Sequence, residues 1–381
     1  MRKTINYAII LSVLNSQDKR VMDKKGRVYV CHTYYHVYVA LLKEFNLPKE
    51  ERFKADLVLS LMSNDFETFA ERVKETRVFE NVFLFDEKRE TYFPEVAILK
   101  EDAGNVVSNM INRIKFTKAF AKAEEPFVPV NFSKYKDVYV FCDVDPIGLY
   151  LNQKKIKYHA VEDGFNYLKF YDPVPAKSDN KGFWGLKKFF SMGLNLIFIR
   201  DGYSKYCIDM EVNDLSVVKD SFRKYVEVPR AELLSRLDKE DKEIMMRVFV
   251  KDFDTLKTQL SNVNSNSKNI IILTEPLTTD LKQREKLFRD LVEEYSKEGC
   301  VFIKPHPRDE LDYPTVFSDV KQFDRTVPME ILNFFEDISF DKVVSVYTQL
   351  DSVKFAKEKV YLGHDFMDKY EDPEIHRKHH K

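Results

Sequence analysis

Paired cysteines are missing from this chain. Cys31, Cys142, Cys207 and Cys300 are its four, and none sits in a CxxC spacing, so a disulfide framework is disfavoured and isolated thiols in a reducing compartment are expected. An excess of either charge is missing too. Its 61 basic and 62 acidic side chains almost cancel, which argues against a protein that coats nucleic acid and makes any phosphate recognition local. No apolar run is long enough to cross a bilayer: Tyr7 to Leu14, behind Arg2 and Lys3, is too short and lacks a convincing cleavage site. A cytosolic location is therefore expected. There is no internal repeat.

What the chain does have is size and aromatic area. With 381 residues and 44% hydrophobic side chains, it can bury two substantial cores, so two α/β domains are expected. The 31 Phe and 20 Tyr suit sugar or lipid contacts as well as core packing. Gly182 to Phe198 mixes cations with bulky apolar residues, which fits either an interfacial or acceptor-binding surface or a core-facing element.

Apolar runs alternate with helical periodicity along most of the chain. Strands are expected at 28–32, 55–62, 78–85, 138–142 and 157–160, with helices at 34–45, 66–76 and 97–121. The polar stretch Ser261 to Lys268 reads as a linker. Beyond it, strands at 270–274, 301–304, 342–347 and 359–362 alternate with helices at 280–297, 328–335 and 351–357. This α/β alternation predicts two Rossmann-like domains, each with a mainly parallel sheet, facing a central cleft. The expected division is an extension at 1–26, a first domain at 27–260, a second at 261–363 and a tail at 364–381, whose basic and histidine-rich end reads as solvated.

Ligands bind open α/β sheets at the carboxyl ends of strands, and the chemistry-bearing motifs fall there. Val301 to Lys304 runs into His306, held between Pro305 and Pro307 and flanked by Lys304 and Arg308. This is a turn histidine or a donor to a phosphate oxygen. Glu162-Asp163-Gly164 follows another strand, where the acids either supply a general base or cap a helix near Phe165. Glu330 and the hydroxyl-bearing turn Ser345 to Ser352 can complete a nucleotide site or act as first-turn acid and N-cap. Asp143-Val144-Asp145-Pro146 is either a metal-binding Asp-x-Asp pair or a turn.

In their order these motifs resemble the bacterial sialyltransferases of glycosyltransferase family 52, the lipooligosaccharide type. The similar pieces are Cys31 to His36, Glu162-Asp163-Gly164, Ile272 to Leu277, Lys304 to Arg308, Pro328-Met329-Glu330 and Ser345 to Ser352. The resemblance implies a GT-B-like fold and inverting transfer of sialic acid from CMP-sialic acid to a galactose-type hydroxyl, with no metal or other cofactor. It implies Asp163 as acceptor base, His306 as the group assisting the leaving CMP phosphate, and Glu330 as a contact to the cytidine part. Lys304, Arg308, Ser345, Thr348 and Ser352 are the expected phosphate contacts, although the hydroxyl pair usual in that turn is not adjacent here. The expected partner is a galactose-containing oligosaccharide, lipid-linked or free, met in the cytoplasm or at the inner face of the membrane. Donors activated as CMP-Kdo or CDP-polyols, and a glycan- or nucleotide-binding protein without turnover, share the architecture.

Overall fold

The computed structural model describes residues 25–164, 184–218, 224–252, 267–334 and 339–379. The expected element at Tyr7 to Leu14, the helix near Phe165 and most of the expected linker lie outside them. The chain separates into two compact units, Met1–Arg236 and Leu237–Lys381.

The first unit carries seven parallel strands: β1 Lys25–Cys31, β2 Ala55–Ser60, β3 Asn81–Phe85, β4 Tyr135–Phe141, β5 Tyr158–Val161, β6 Cys207–Val212 and β7 Tyr225–Glu227. Their spatial order is β3-β2-β1-β4-β5-β6-β7, so the strand order reverses between β1 and β4. A crevice at the carboxyl ends of that pair is the ligand-binding position of such sheets. Helices α1 Tyr34–Phe45, α2 Glu67–Thr76, α3 Val106–Glu124 and α4 Pro146–Lys154 connect the strands. Every residue of β2 is buried, as its place inside the sheet requires, and its run Leu57–Leu59 is apolar while Asp56 and Ser60 are paired. Val28, Val30, Val58, Val140, Ile147 and Leu151 pack together from β1, β2, β4 and α4, each contributing about 1.5–3 kcal/mol by leaving water.

Helix α1 starts where Thr33 Oγ1 accepts the His36 N–H at 3.2 Å, satisfying one of the free amides of the first turn. Helix α4 starts at Pro146, whose missing N–H costs nothing at that position. A β-carbon on Gly148 would overlap the Asp143 carbonyl oxygen, so only glycine lets α4 lie this close beneath the Cys142 to Asp145 turn.

The second unit carries five parallel strands: β8 Lys268–Leu273, β9 Gly299–Lys304, β10 Lys321–Gln322, β11 Phe340–Ser345 and β12 Ala356–Tyr361, ordered β10-β9-β8-β11-β12. Here the order reverses between β8 and β11. The longer described helices of this unit are α5 Lys239–Phe249 and α6 Leu281–Ser296. Leu287, Phe288, Leu291 and Tyr295 form the buried stripe of α6 and pack with Ile272, Ile303 and Val344.

The division lies nearer the amino terminus than the expected 260/261. Helix α5, begun by a capping box between Asp238 and Asp241, packs on the helical turn Met329–Phe334 of the second unit. The expected helix at 351–357 is a turn leading into β12. The expected tail is helical at Gly363–Met367 and Pro373–His379, and His376, at the start of the end expected to be solvated, is buried, with Nε2 2.8 Å from Asp368 and Nδ1 3.0 Å from the Tyr347 hydroxyl.

Candidate active site

At the carboxyl edge of the first sheet, the ends of β1, β4 and β5 bring together His32, His36, Cys142, Asp145 and Asp163. Successive residues leaving β5 point opposite ways. Glu162 turns inward, is buried and accepts the Asn213 N–H at 2.8 Å, whereas the Asp163 side chain keeps 38% of its surface exposed. Of the two acids, Asp163 is thus the one that reaches outward. Its Oδ1 lies 2.7 Å from His36 Nε2 and 3.1 Å from the Cys142 thiol. Cys142 itself has φ 54°, a left-handed conformation that costs a non-glycine residue about 1 kcal/mol or more.

Behind these groups lies a buried ion pair. His32 Nε2 is 2.8 Å from Glu87 Oε2, which also accepts the Ser60 hydroxyl at 2.5 Å, while Glu87 Oε1 accepts the Ile147 N–H at 2.8 Å. Burial alone would lower the basicity of His32, but Glu87 beside it raises its pKa overall. Burial likewise opposes the charge on Glu87, and His32, Ser60 and the Ile147 amide outweigh it, holding the carboxyl below its usual range. Asp145 lies 3.6 Å from His32 Nε2. Burial, opposed by His32 and Arg89 and reinforced by Glu87 and Asp163, pushes its carboxyl up to about 6.

The Asp-x-Asp pair is divided between two tasks. Asp143 is buried and accepts the Gly202 N–H at 2.9 Å and the Tyr158 hydroxyl at 2.6 Å, so it anchors the chain after residue 200, while Asp145 borders a cleft. His32, His36 and Cys142 place ligand atoms within 4.8 Å of one another, a grouping with the donor types of a zinc site. The His36 ring argues against that use. Its Nδ1 accepts the His32 backbone N–H at 3.0 Å, which leaves the proton on Nε2, the nitrogen facing Asp163.

Asp145 lines a cleft of about 290 Å³ with Arg89, Lys100, Arg113, Val144 and Ile199. Lys100, Arg113 and Ile199 also line a groove of about 850 Å³, walled by Val106, Val107 and Ile111 of α3 and by Leu186, Phe190 and Ile197. In the described part of the segment expected to form an interfacial surface or core element, Ile197 and Phe198 are buried, whereas Leu186, which lines the groove, and Phe189 are exposed.

At the carboxyl edge of the second sheet, the end of β9 holds His306. Its backbone N–H donates to Thr274 Oγ1 at 3.1 Å and its Nδ1 accepts the Arg308 N–H at 3.2 Å. The neutral ring thus carries its proton on Nε2. Burial, then the charges of Arg308 and Lys304, hold its pKa down to about 3. Arg308 is exposed. Lys304 is buried and points away from solvent, donating to the carbonyls of Pro305 at 2.6 Å and Arg325 at 3.3 Å. Burial lowers the Lys304 ammonium to about 7 and raises the buried Glu330 carboxyl to about 7, with each charge partly offsetting the other's shift.

The turn after β11 is already occupied by an internal anion. Glu275, following β8, accepts the Thr348 N–H at 2.7 Å and the Tyr347 N–H at 3.0 Å. Ser345 is buried and donates to the Thr348 carbonyl at 2.7 Å, and the Ser352 carbonyl accepts from Asn333. The structure thus gathers His306, Thr274, Glu275 and the 345–348 turn at one strand-end edge. It assigns Lys304 and Ser345 internal hydrogen bonds. His36, Glu87 and Glu275 were not among the expected site residues, and Asp145 was expected only as half of a metal-binding pair or as part of a turn. His36 and Glu275 lie within the motifs quoted for the resemblance, whereas Glu87 carries no local pattern.

The model of glycosyltransferase family 52 matches residues 76–361. An uncharacterized protein of Haemophilus influenzae is 30% identical over 158 residues, a match spanning 40% of this chain and 44% of that protein, less than half its length. An α/β-galactoside α-2,3-sialyltransferase from Photobacterium phosphoreum is similar in structure, with a TM-score of 0.50 and 14% identity over 88% of this chain and 89% of that one. A sialyltransferase from Photobacterium damsela gives a TM-score of 0.48 and 14% identity, covering 89% and 74%.

Proposed function

The chain belongs to glycosyltransferase family 52 and has the two Rossmann-like units of a GT-B fold, and from that premise we propose that it is an inverting, metal-independent sialyltransferase using CMP-sialic acid. The acceptor is a galactose-type hydroxyl of a bacterial surface glycan. The acceptor oxygen bonds to the anomeric carbon as the bond from that carbon to the CMP phosphate oxygen breaks. Charge grows on the phosphate while the acceptor hydroxyl loses its proton. Asp163 takes that proton and His306 meets the phosphate.

The observation that carries this reading is the tautomer of His306. With Nδ1 filled by the Arg308 amide, the ring offers an Nε2–H donor without first having to become charged. An arriving phosphate stabilises a proton on the ring and so raises its low pKa toward the working range. Arg308, Glu330, Thr348 and Ser352 are assigned to the nucleotide side, with Lys304 and Ser345 supporting them from within.

The apolar groove running into the Asp145 cleft supports an acceptor carried on a lipid, and hence contact with the inner face of a membrane. No helix among the described residues is long and apolar enough to cross one. The deciding experiment measures CMP release from CMP-sialic acid with EDTA present and lactose-terminated acceptors, for the intact protein, Asp163→Asn and His306→Ala. Turnover in the intact protein, lost in both variants, is expected. Absence of turnover in the intact protein overturns the reading and turns the search to CMP-Kdo, CDP-activated donors or a binding role.

A further inference from the structure

We propose that His36 is a positioning residue for Asp163, its ring locked in one tautomer so that a single N–H fixes the carboxylate that takes the acceptor proton. This rests on the reading of Asp163 as the base. A backbone amide can only donate, so the His32 N–H at 3.0 Å from Nδ1 requires a lone pair there and places the ring proton on Nε2. That N–H is 2.7 Å from Asp163 Oδ1 and 2.9 Å from the Asp163 carbonyl oxygen. It therefore ties side chain and backbone of one residue together, which restricts rotation about the Cα–Cβ bond. The ring is stacked on Phe141, with centroids 4.3 Å apart and planes at 11°, and its side chain is fully buried. It can neither turn over without losing these contacts nor touch a substrate.

The titratable groups around the ring are Asp163, His32 and Cys142, with Glu87 and Asp145 beyond His32. Burial lowers the basicity of His36 against the pull of Asp163, which keeps the ring neutral and the tautomer meaningful. Asp163 lies within the residues matched by the family, 76–361, and His36 lies outside them. The family match alone therefore does not point to this pair.

His36→Phe keeps a ring against Phe141 and removes both nitrogens, whereas His36→Gln restores an amide N–H on a side chain of similar reach. For the Phe variant, kcat is expected to fall about 10–100-fold, the scale of a misplaced reacting group, with KM for CMP-sialic acid changed less than about twofold. The acid limb of the kcat/KM profile is expected to move to higher pH, because a hydrogen bond favouring the carboxylate is gone. The Gln variant is expected to recover most of both. An unmoved acid limb in the Phe variant, or a Gln variant as damaged as Phe, overturns the proposal.

Histidine-selective nitrogen NMR of the intact protein supplies a readout independent of turnover. A neutral Nε2–H tautomer is expected throughout about pH 7.5 to 8.5, above the ordinary histidine value. The other tautomer, or a charged ring in that range, overturns the proposal. An active Asp163→Asn variant sinks the base reading itself and the positioning role with it. An inactive Asp163→Asn beside an unaffected His36→Phe sinks the positioning role alone.

Discussion

Replacing Glu87 by alanine strips three donors of their acceptor at once: the His32 ring, the Ser60 hydroxyl and the Ile147 amide. Both members of the ion pair are sealed from water, with side-chain exposures of 2% and 0%. Removing one partner of such a pair costs about 3–5 kcal/mol, because the other is left buried and uncompensated. In a unit of this size each kcal/mol lowers Tm by about 2–4 °C, so a fall of roughly 6–20 °C is expected.

The pH dependence has a definite sign. Glu87 has a folded pKa below its reference of 4.5, so its contribution is present above that value and lost as pH falls. His32 has a folded pKa above its reference of 6.5, so its contribution is present below that value and lost as pH rises through the folded pKa. The gap between wild type and Glu87→Ala is therefore widest between these two references and narrows in alkali, where a neutral His32 keeps only a hydrogen bond. Urea unfolding followed by the fluorescence of the single tryptophan, Trp184, which belongs to the first unit, measures it. A gap below about 1 kcal/mol near pH 5.5, within the range of ordinary substitutions, would refute the reasoning. So would a gap equally wide near pH 9.

Glu275→Gln turns an amide toward the N–H groups of Tyr347 and Thr348, and is expected to weaken CMP binding about tenfold by loosening the turn; calorimetric titration with CMP decides, and an unchanged affinity contradicts it. Lys304→Met is expected to leave CMP affinity within about threefold, since that ammonium serves two carbonyls, while Arg308→Ala lowers it further and flattens its salt dependence. Equal losses in the two variants would mean that Lys304 reaches the phosphate after all. Val107→Asp places a charge on the groove wall and is expected to raise KM for long-chain alkyl lactosides by about tenfold while leaving free lactose unchanged; a shift common to both acceptors argues against the groove.

Most strands were legible because a strand buried on both faces of a parallel sheet carries an apolar run, as Leu57–Leu59 in β2, Ile270–Leu273 in β8 and Val343–Val344 in β11 do. Strand β6 was not, because its Asp209 and Glu211 look like surface charges. They are instead paired inside the fold, with His159 at 2.6 Å and Lys43 at 2.6 Å. Helix α4 was hidden behind a proline that reads equally well as a turn, and the unit boundary was misplaced because α5 has an ordinary amphipathic pattern that does not say which core it covers. Strand ends marked the edges where Asp163 and His306 sit. What could not be read was which polar groups look inward. Glu162 beside Asp163, and Ser345 and Lys304 near His306, have the same residue types as a ligand contact, and only long-range partners such as Asn213 and Arg325 decide their direction. The internal anion at 345–348 escaped for the same reason, since Glu275 follows a strand more than sixty residues earlier in the chain.

The reversal of strand order between β1 and β4 also bears on how the protein is made. Arg27 pairs with Asp137 and Val30 with Val140, so the middle of the first sheet joins segments separated by the whole of β2, β3 and α3. Neighbouring pairs β1–β2 and β2–β3 can form early in synthesis, but the central seam must wait until β4 has left the ribosome. Until then one edge of β1, whose carboxyl end leads to His32 and His36, is unpaired, although β2 covers the other. Slowing translation just after β4 is therefore expected to favour productive folding of this unit, and hastening it to favour aggregation through the waiting edge of β1.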